Sequence, residues 1–145
     1  MDSKDKEVTR LERGWAGHFI AAHSCRFRRN TLLSHKDTEI VVSTVGLMEN
    51  PLYKEKHQAR GFSSDRFMEI GYHRHYETMA FHSDLKDARY HDADITKEVP
   101  FDSPWSISVL DADDKANDMH EAVVAEIMEG LQQGNVYKQR GDEIR

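Results

Sequence analysis

A chain of 145 residues with 38% hydrophobic and 32% charged side chains and a net charge of −6 suits one globular domain and excludes a wholly disordered polymer. No apolar run reaches bilayer-spanning length, and the opening MDSKDKEVTRLER lacks the apolar core of a secretory signal, so no membrane association and a cytoplasmic setting are expected. Cys25 is the only cysteine, which rules out an intrachain disulfide and a cysteine-based zinc cluster.

Residues 1–12 are charged and aperiodic and read as a flexible leader, with at most a helical turn near Val8 to Leu11. GWAGHFIAAH (14–23), flanked by glycines, reads as extended. CRFRRNTLL (25–33) alternates, with Cys25, Phe27, Thr31 and Leu33 on one face and Arg26, Arg28 and Asn30 on the other. SHKD supplies turn chemistry and TEIVVSTVG (38–46) is rich in β-branched residues, so a hairpin is predicted. Residues 50–66 are polar without a period and read as a flexible loop. Residues 72–82 read as a strand, and 89–105 as a loop with one short strand, punctuated by Pro100 and Pro104, with Trp105 filling the edge of the core.

Ala116, Met119, Val123, Ile127 and Leu131 recur at helical spacing, predicting an amphipathic helix from about 112 to 132. Asp111 is the expected N-cap, Gly134 the expected stop, and 134–145 a flexible tail. The predicted fold is α+β: one domain over 13–133, an antiparallel meander of three to five strands with one C-terminal amphipathic helix packed on it.

Charge is unevenly distributed. Residues 10–36 hold six basic residues against one acid, whereas 84–129 hold thirteen acids against four basic residues. Such a split arises when two faces of a fold neutralise each other, when protomers assemble as a homodimer or higher oligomer, or when one face meets a charged partner.

Three clusters are candidate sites. If 72–82 is a strand, His73, His75 and Glu77 share a face at roughly 7 Å intervals and could hold a divalent transition metal. The structural alternative puts the imidazoles at the strand's wet end, with Met79 and Phe81 in the core. Arg26, Arg28, Arg29 and Asn30 could hold a small anionic ligand, because each guanidinium presents a planar fork of donors; the alternative is pairing with the acids of the C-terminal half. Asp111, Asp113, Asp114, Asp118 and Glu121 form an acidic stripe that could engage a protein partner with a basic surface, or could be merely solvated. His120, bordering the apolar face, reads as a satisfied half-buried histidine and not as a ligand.

Other chemistry is weakly supported. The apparent calcium loop at DADDKANDMHE has Lys115 at its third position and lacks the required glycine. No P-loop, GxSxG elbow or HExxH helix occurs. Cys25 falls on the predicted core face, where a thiol is inert. The acidic balance and the missing RNA-binding signatures argue against direct nucleic-acid binding.

The strings RGWAGHFIAAHSCRFRRNTLL, IVVSTVG, YETMAFH, YHDADIT and DADDKANDMHEAVV resemble a group of short proteins carried by bacterial prophages and related mobile elements, over roughly residues 12 to 129. The group brings no agreed activity; the resemblance implies a setting in which small acidic single-domain proteins act as inhibitors of host defence. The leading expectation is therefore a non-catalytic binding or inhibitor protein acting on a host protein or sequestering an anionic ligand. The competing one is a metal-dependent enzyme using His73, His75 and Glu77.

Overall fold

The computed structural model describes residues 7–12, 25–50, 67–83 and 93–134, with the side chains of 93–96 excepted. The elements expected at 14–23 and 51–66, and the tail beyond Gly134, lie outside the described residues. The described residues form seven strands: β1 (Thr9–Glu12), β2 (Cys25–His35), β3 (Thr38–Glu49), β4 (Phe67–Met68), β5 (Tyr76–Ser83), β6 (Ala93–Val99) and β7 (Ser106–Ile107). The helix α1 (Asp113–Gln132) follows them. All strand pairs are antiparallel, in the order β1-β2-β3-β5-β6, with β4 added to β3 and β7 to β5. The fold is the expected α+β arrangement of an antiparallel sheet with a C-terminal helix on it.

The β2–β3 hairpin turns through Lys36 and Asp37, with His35 opposite Thr38. Lys36 takes φ 55, the left-handed first position that a primed two-residue turn requires. The register aligns rows across three strands. Facing the helix are Phe27–Gly46–Tyr76, Arg29–Thr44–Thr78, Thr31–Val42–Ala80 and Leu33–Ile40–His82. On the other face run Arg28–Val45–Glu77, Asn30–Ser43–Met79 and Leu32–Val41–Phe81.

Helix α1 lays Ala116, Met119, Val123, Val124, Ile127 and Leu131 against the first face, where Val8, Leu33, Ile40, Val42, Ala80 and Val99 complete the main core. Each large aliphatic chain buried here contributes roughly 1.5–3 kcal/mol. Val41 and Val45 on the second face are also fully buried. Closure on both faces explains why β3 is buried almost continuously instead of at alternate positions.

Three expectations are corrected. Residues 9–12 form an edge strand, not a frayed leader or a helical turn: Val8 enters the core, while Arg10 and Glu12 find charged partners across the fold. Cys25 leaves the face of Phe27 and packs with Val45, Met48 and Ile70, near the point where Leu47 adopts φ 54 and breaks the alternation of β3. Burial pushes the Cys25 thiol up to about 11, against the opposing influence of Arg28. Asp111 does not cap α1; it turns through φ 53, and Ala112 occupies the cap position without a side-chain bond. The short strand expected within 89–105 is present as β6, and β7 follows just beyond that stretch.

Candidate functional site

Between α1 and the sheet runs a chain of buried polar groups. His120 has no solvent exposure, and both ring nitrogens are engaged, Nε2 with Thr31 Oγ1 and Nδ1 with Thr44 Oγ1, each at 2.7 Å. Thr31 gives its hydroxyl proton to Glu12 at 2.5 Å, so it must accept from His120 Nε2–H. His120 Nδ1 therefore accepts from Thr44, and Thr44 accepts from Thr78 at 2.6 Å. The direction of the whole chain follows from one ionised carboxylate at its end, and it requires a neutral imidazole. Burial, then the nearby Arg29, pushes His120 down to about 4.

The outer end of this chain is an ion-pair cluster. Arg29 bonds Glu12, Glu121 and Asn117, and Arg10 grips Glu121 with both terminal nitrogens at 2.9 and 3.0 Å. The Arg10 hydrogen bond holds the Glu121 carboxyl down at about 2. Burial opposes the charge of Glu12, but its bonds from Thr31 and Arg29 outweigh that and keep it below the usual carboxylate range. The basic hairpin and the acidic helix thus neutralise each other here.

This cluster divides two of the predicted sites. Arg29 faces the helix, Arg28 and Asn30 lie on the opposite face, and Arg26 is exposed, so the four residues do not form one anion pocket. Glu121 is committed internally, whereas Asp111, Asp113, Asp114 and Asp118 remain exposed. Among the described residues no basic side chain pairs with Asp111, Asp114 or Asp118.

The proposed metal ligands are also not brought together. The strand begins at Tyr76, so His73 and His75 precede it. His73 sits in a tight turn between Gly71 and Arg74 with φ 55, its ring against Tyr72. His75 bonds the Ser108 carbonyl through Nδ1 at 2.6 Å, and Glu77 accepts from Arg74 Nε at 3.2 Å. Among the described residues no group of three or more His, Cys, Asp or Glu side chains is arranged to hold a metal ion.

What the same stretch does build is a cleft of about 470 Å³ at the edge of β5. β6 ends against Ala80 at Val99, and β7 resumes pairing with Glu77 at Ser106, leaving Thr78 and Met79 between two partners. Residues 100–105 arch over this gap, and the Thr78 N–H closes it onto the Trp105 carbonyl at 2.8 Å. Glu126 of α1 pins the arch by accepting from Asp102 N, Ser103 N and Ser103 Oγ at 2.6–2.8 Å. Burial opposes the Glu126 charge, but these three donors outweigh it and hold the carboxyl below its usual range.

Ile70, Met79 and Phe101 give the cleft apolar walls, Glu77 and Glu98 carry its acids, and Arg74 lies with its guanidinium 4.9 Å from the centre of the Trp105 ring. Trp105 was expected to fill the core edge; it stays 44% exposed because it roofs this arginine instead.

Around the cleft the molecule exposes large side chains: Tyr72 at 82%, Val109 at 51% and Leu110 at 45%, beside Trp105. The 71–75 turn and the 105–111 segment are joined by the Arg74–Trp105 stack and by two bonds from His75, its N–H to Ile107 and its ring to Ser108. Tyr76 anchors the start of α1 from below, donating to Asp113 at 2.7 Å and accepting from Ala112 N at 2.9 Å. Among the described residues, three of the four non-glycine residues with positive φ, Leu47, His73 and Asp111, lie at this end. Strained backbone gathered in one place is a mark of functional regions.

No family model, no curated protein and no solved structure matches the chain. The site therefore rests on its own geometry. Among the described residues no helix is long and apolar enough to cross a membrane.

Proposed function

We propose that this chain is a non-catalytic binding protein that docks a partner with a basic surface on the end of the sheet carrying Tyr72, Trp105, Val109 and Leu110. The observation that carries the reading is the juxtaposition of these exposed large side chains with exposed Asp111, Asp113, Asp114 and Asp118. A surface with an apolar centre and a rim of one charge suits a partner of the opposite sign: apolar burial supplies affinity, and the rim supplies orientation and association rate. In the setting that the prophage resemblance implies, the partner is a host protein and binding inhibits it. Glu121 is not part of this surface, because Arg10 and Arg29 already satisfy it.

The test is a pull-down with the intact chain, followed by affinity measurement for the recovered protein across a salt series. Asp114→Lys with Asp118→Lys should abolish binding, as should Val109→Ser with Leu110→Ser, and wild-type affinity should weaken from low to physiological salt. A partner retained by both double variants would overturn the reading.

A further inference from the structure

Strand β1 closes one edge of the sheet, and among the described residues no strand pairs with its outer side. Which of its backbone groups face outward follows from the hairpin. A two-residue turn makes His35 and Thr38 a hydrogen-bonded pair, so Thr31, Leu33 and His35 direct their N–H and C=O groups to β3. The Leu47 N–H on the His75 carbonyl and the Thr78 N–H on the Trp105 carbonyl continue that alternation across β3 and β5. Leu32 and Ser34 therefore address β1, where Leu11 and Thr9 stand opposite them. The N–H and C=O groups of Arg10 and Glu12 are left pointing away from the sheet.

The side chains of this edge carry a second signal. Leu11 ends a cross-strand row, Leu11–Leu32–Val41–Phe81, whose other members are buried, yet Leu11 is 55% exposed. The apolar row thus runs to the rim and stops at an uncovered leucine. On the other face Arg10 and Glu12 keep their partners on α1 and β2, and their side chains remain 36% and 50% exposed.

We propose that β1 pairs antiparallel with β1 of a second copy, joining the two sheets about a twofold axis at Leu11. An added strand must bond through the outward groups, which are those of Arg10 and Glu12. Registers that set Arg10 against Arg10, or Glu12 against Glu12, oppose like charges directly and are destabilised. The remaining register sets each Arg10 against Glu12 of the other copy and lets each such pair exchange both main-chain bonds. It also brings the two Leu11 side chains together as a close, non-hydrogen-bonded pair. A charged edge ordinarily deters pairing, but one charge of each sign, two positions apart, makes this edge complementary to itself. The contact is isologous and closes at two copies.

A contact this small belongs to the weak class of interfaces, so concentration is the variable to scan. Sedimentation equilibrium of the full chain should show monomer passing to dimer as concentration rises. Leu11→Lys and Leu11→Glu, each alone, should raise the dissociation constant about tenfold, through a lost apolar pair and a new like-charge pair. An equimolar mixture of the two variant chains should associate again, and thermal melts establish that both fold.

Crosslinking reads the register. Opposed residues of a non-hydrogen-bonded pair have Cα atoms about 4.5 Å apart, inside the disulfide range of about 4.4–6.8 Å. Leu11→Cys protein should therefore form a covalent dimer under oxidised glutathione. Thr9→Cys protein should not, because its two copies would lie about 14 Å apart. Wild-type protein controls for the buried Cys25. A wild-type monomer at every concentration, a dimer unaffected by Leu11→Lys, or crosslinking of Thr9→Cys as readily as Leu11→Cys would each overturn the proposal. The docking surface around Trp105 uses none of these residues, so either reading can fail alone.

Discussion

Acidification should destabilise the fold through one residue, His120. Its imidazole titrates near 6.5 when unfolded and near 4 when folded. Between those values the unfolded chain binds the extra proton and the native chain does not, so stability is full above about pH 6.5 and falls as pH drops toward 4. At pH 5 the loss is about 2 kcal/mol, approaching about 3 kcal/mol near pH 4.

The cause is geometric as well as dielectric. A proton on Nδ1 meets the hydrogen of Thr44 head-on, so Thr44 must turn toward Thr78 and the run of donors must reverse. His120→Gln removes the titration while retaining a donor and an acceptor. It should cost roughly 1–2 kcal/mol at pH 7.5, chiefly from imperfect hydrogen bonds. Urea denaturation at half-unit pH steps should show the two stability curves converging near pH 5. Glu12, Glu121 and Glu126, all held below their ordinary range, add losses only under about pH 4.5. Parallel curves for the two proteins between pH 6.5 and 4.5 would refute the reasoning.

Gly46→Ala should be severe, because the new Cβ would lie 2.1 Å from the buried Tyr76 ring, which sits directly across the strand pair; roughly 3 kcal/mol is expected from chemical denaturation. Tyr76→Phe should cost about 1–3 kcal/mol by the same assay, since the Ala112 N–H loses its acceptor in a buried setting. Glu126→Ala should release the arch: amide exchange at Asp102 and Ser103 should accelerate at least about tenfold, the loss of one charge-assisted hydrogen bond being enough to do so. Unchanged protection there would show that the arch stands without the helix.

The elements legible from the residues were those whose pattern is local. Helix α1 shows its 3.6-residue period from Ala116 to Leu131, and the β2–β3 hairpin shows a short turn between two β-prone runs. Strand β1 was hidden, because Arg10 and Glu12 look like solvated charges until Glu121 and Arg29 arrive from far along the chain. The stretch GYHRHYE did mark the site, but through Arg74 and Glu77 and not through its histidines. The strand starts at Tyr76, four residues later than alternation suggested, which turns His73 into part of a tight turn. The cleft itself leaves no spacing signature: its walls come from residues 70–79, 98–101 and 105, joined only by the register of β6 and β7 on β5. A signal was present in the composition of the arch, where a tryptophan between turn residues is hard to place in a core.

His120 and Glu126 stand six positions apart on α1, about 9 Å along a stiff rod. The first fixes where that rod lies on the strands, and the second fixes the roof of the cleft under the 100–105 arch. Sliding the rod by even part of a turn would break two interior bonds, so the cleft inherits its shape from a histidine that never touches it. Substitutions under the helix should therefore alter recognition at a distance, and selection for binding would act on the middle of the fold as strongly as on its rim.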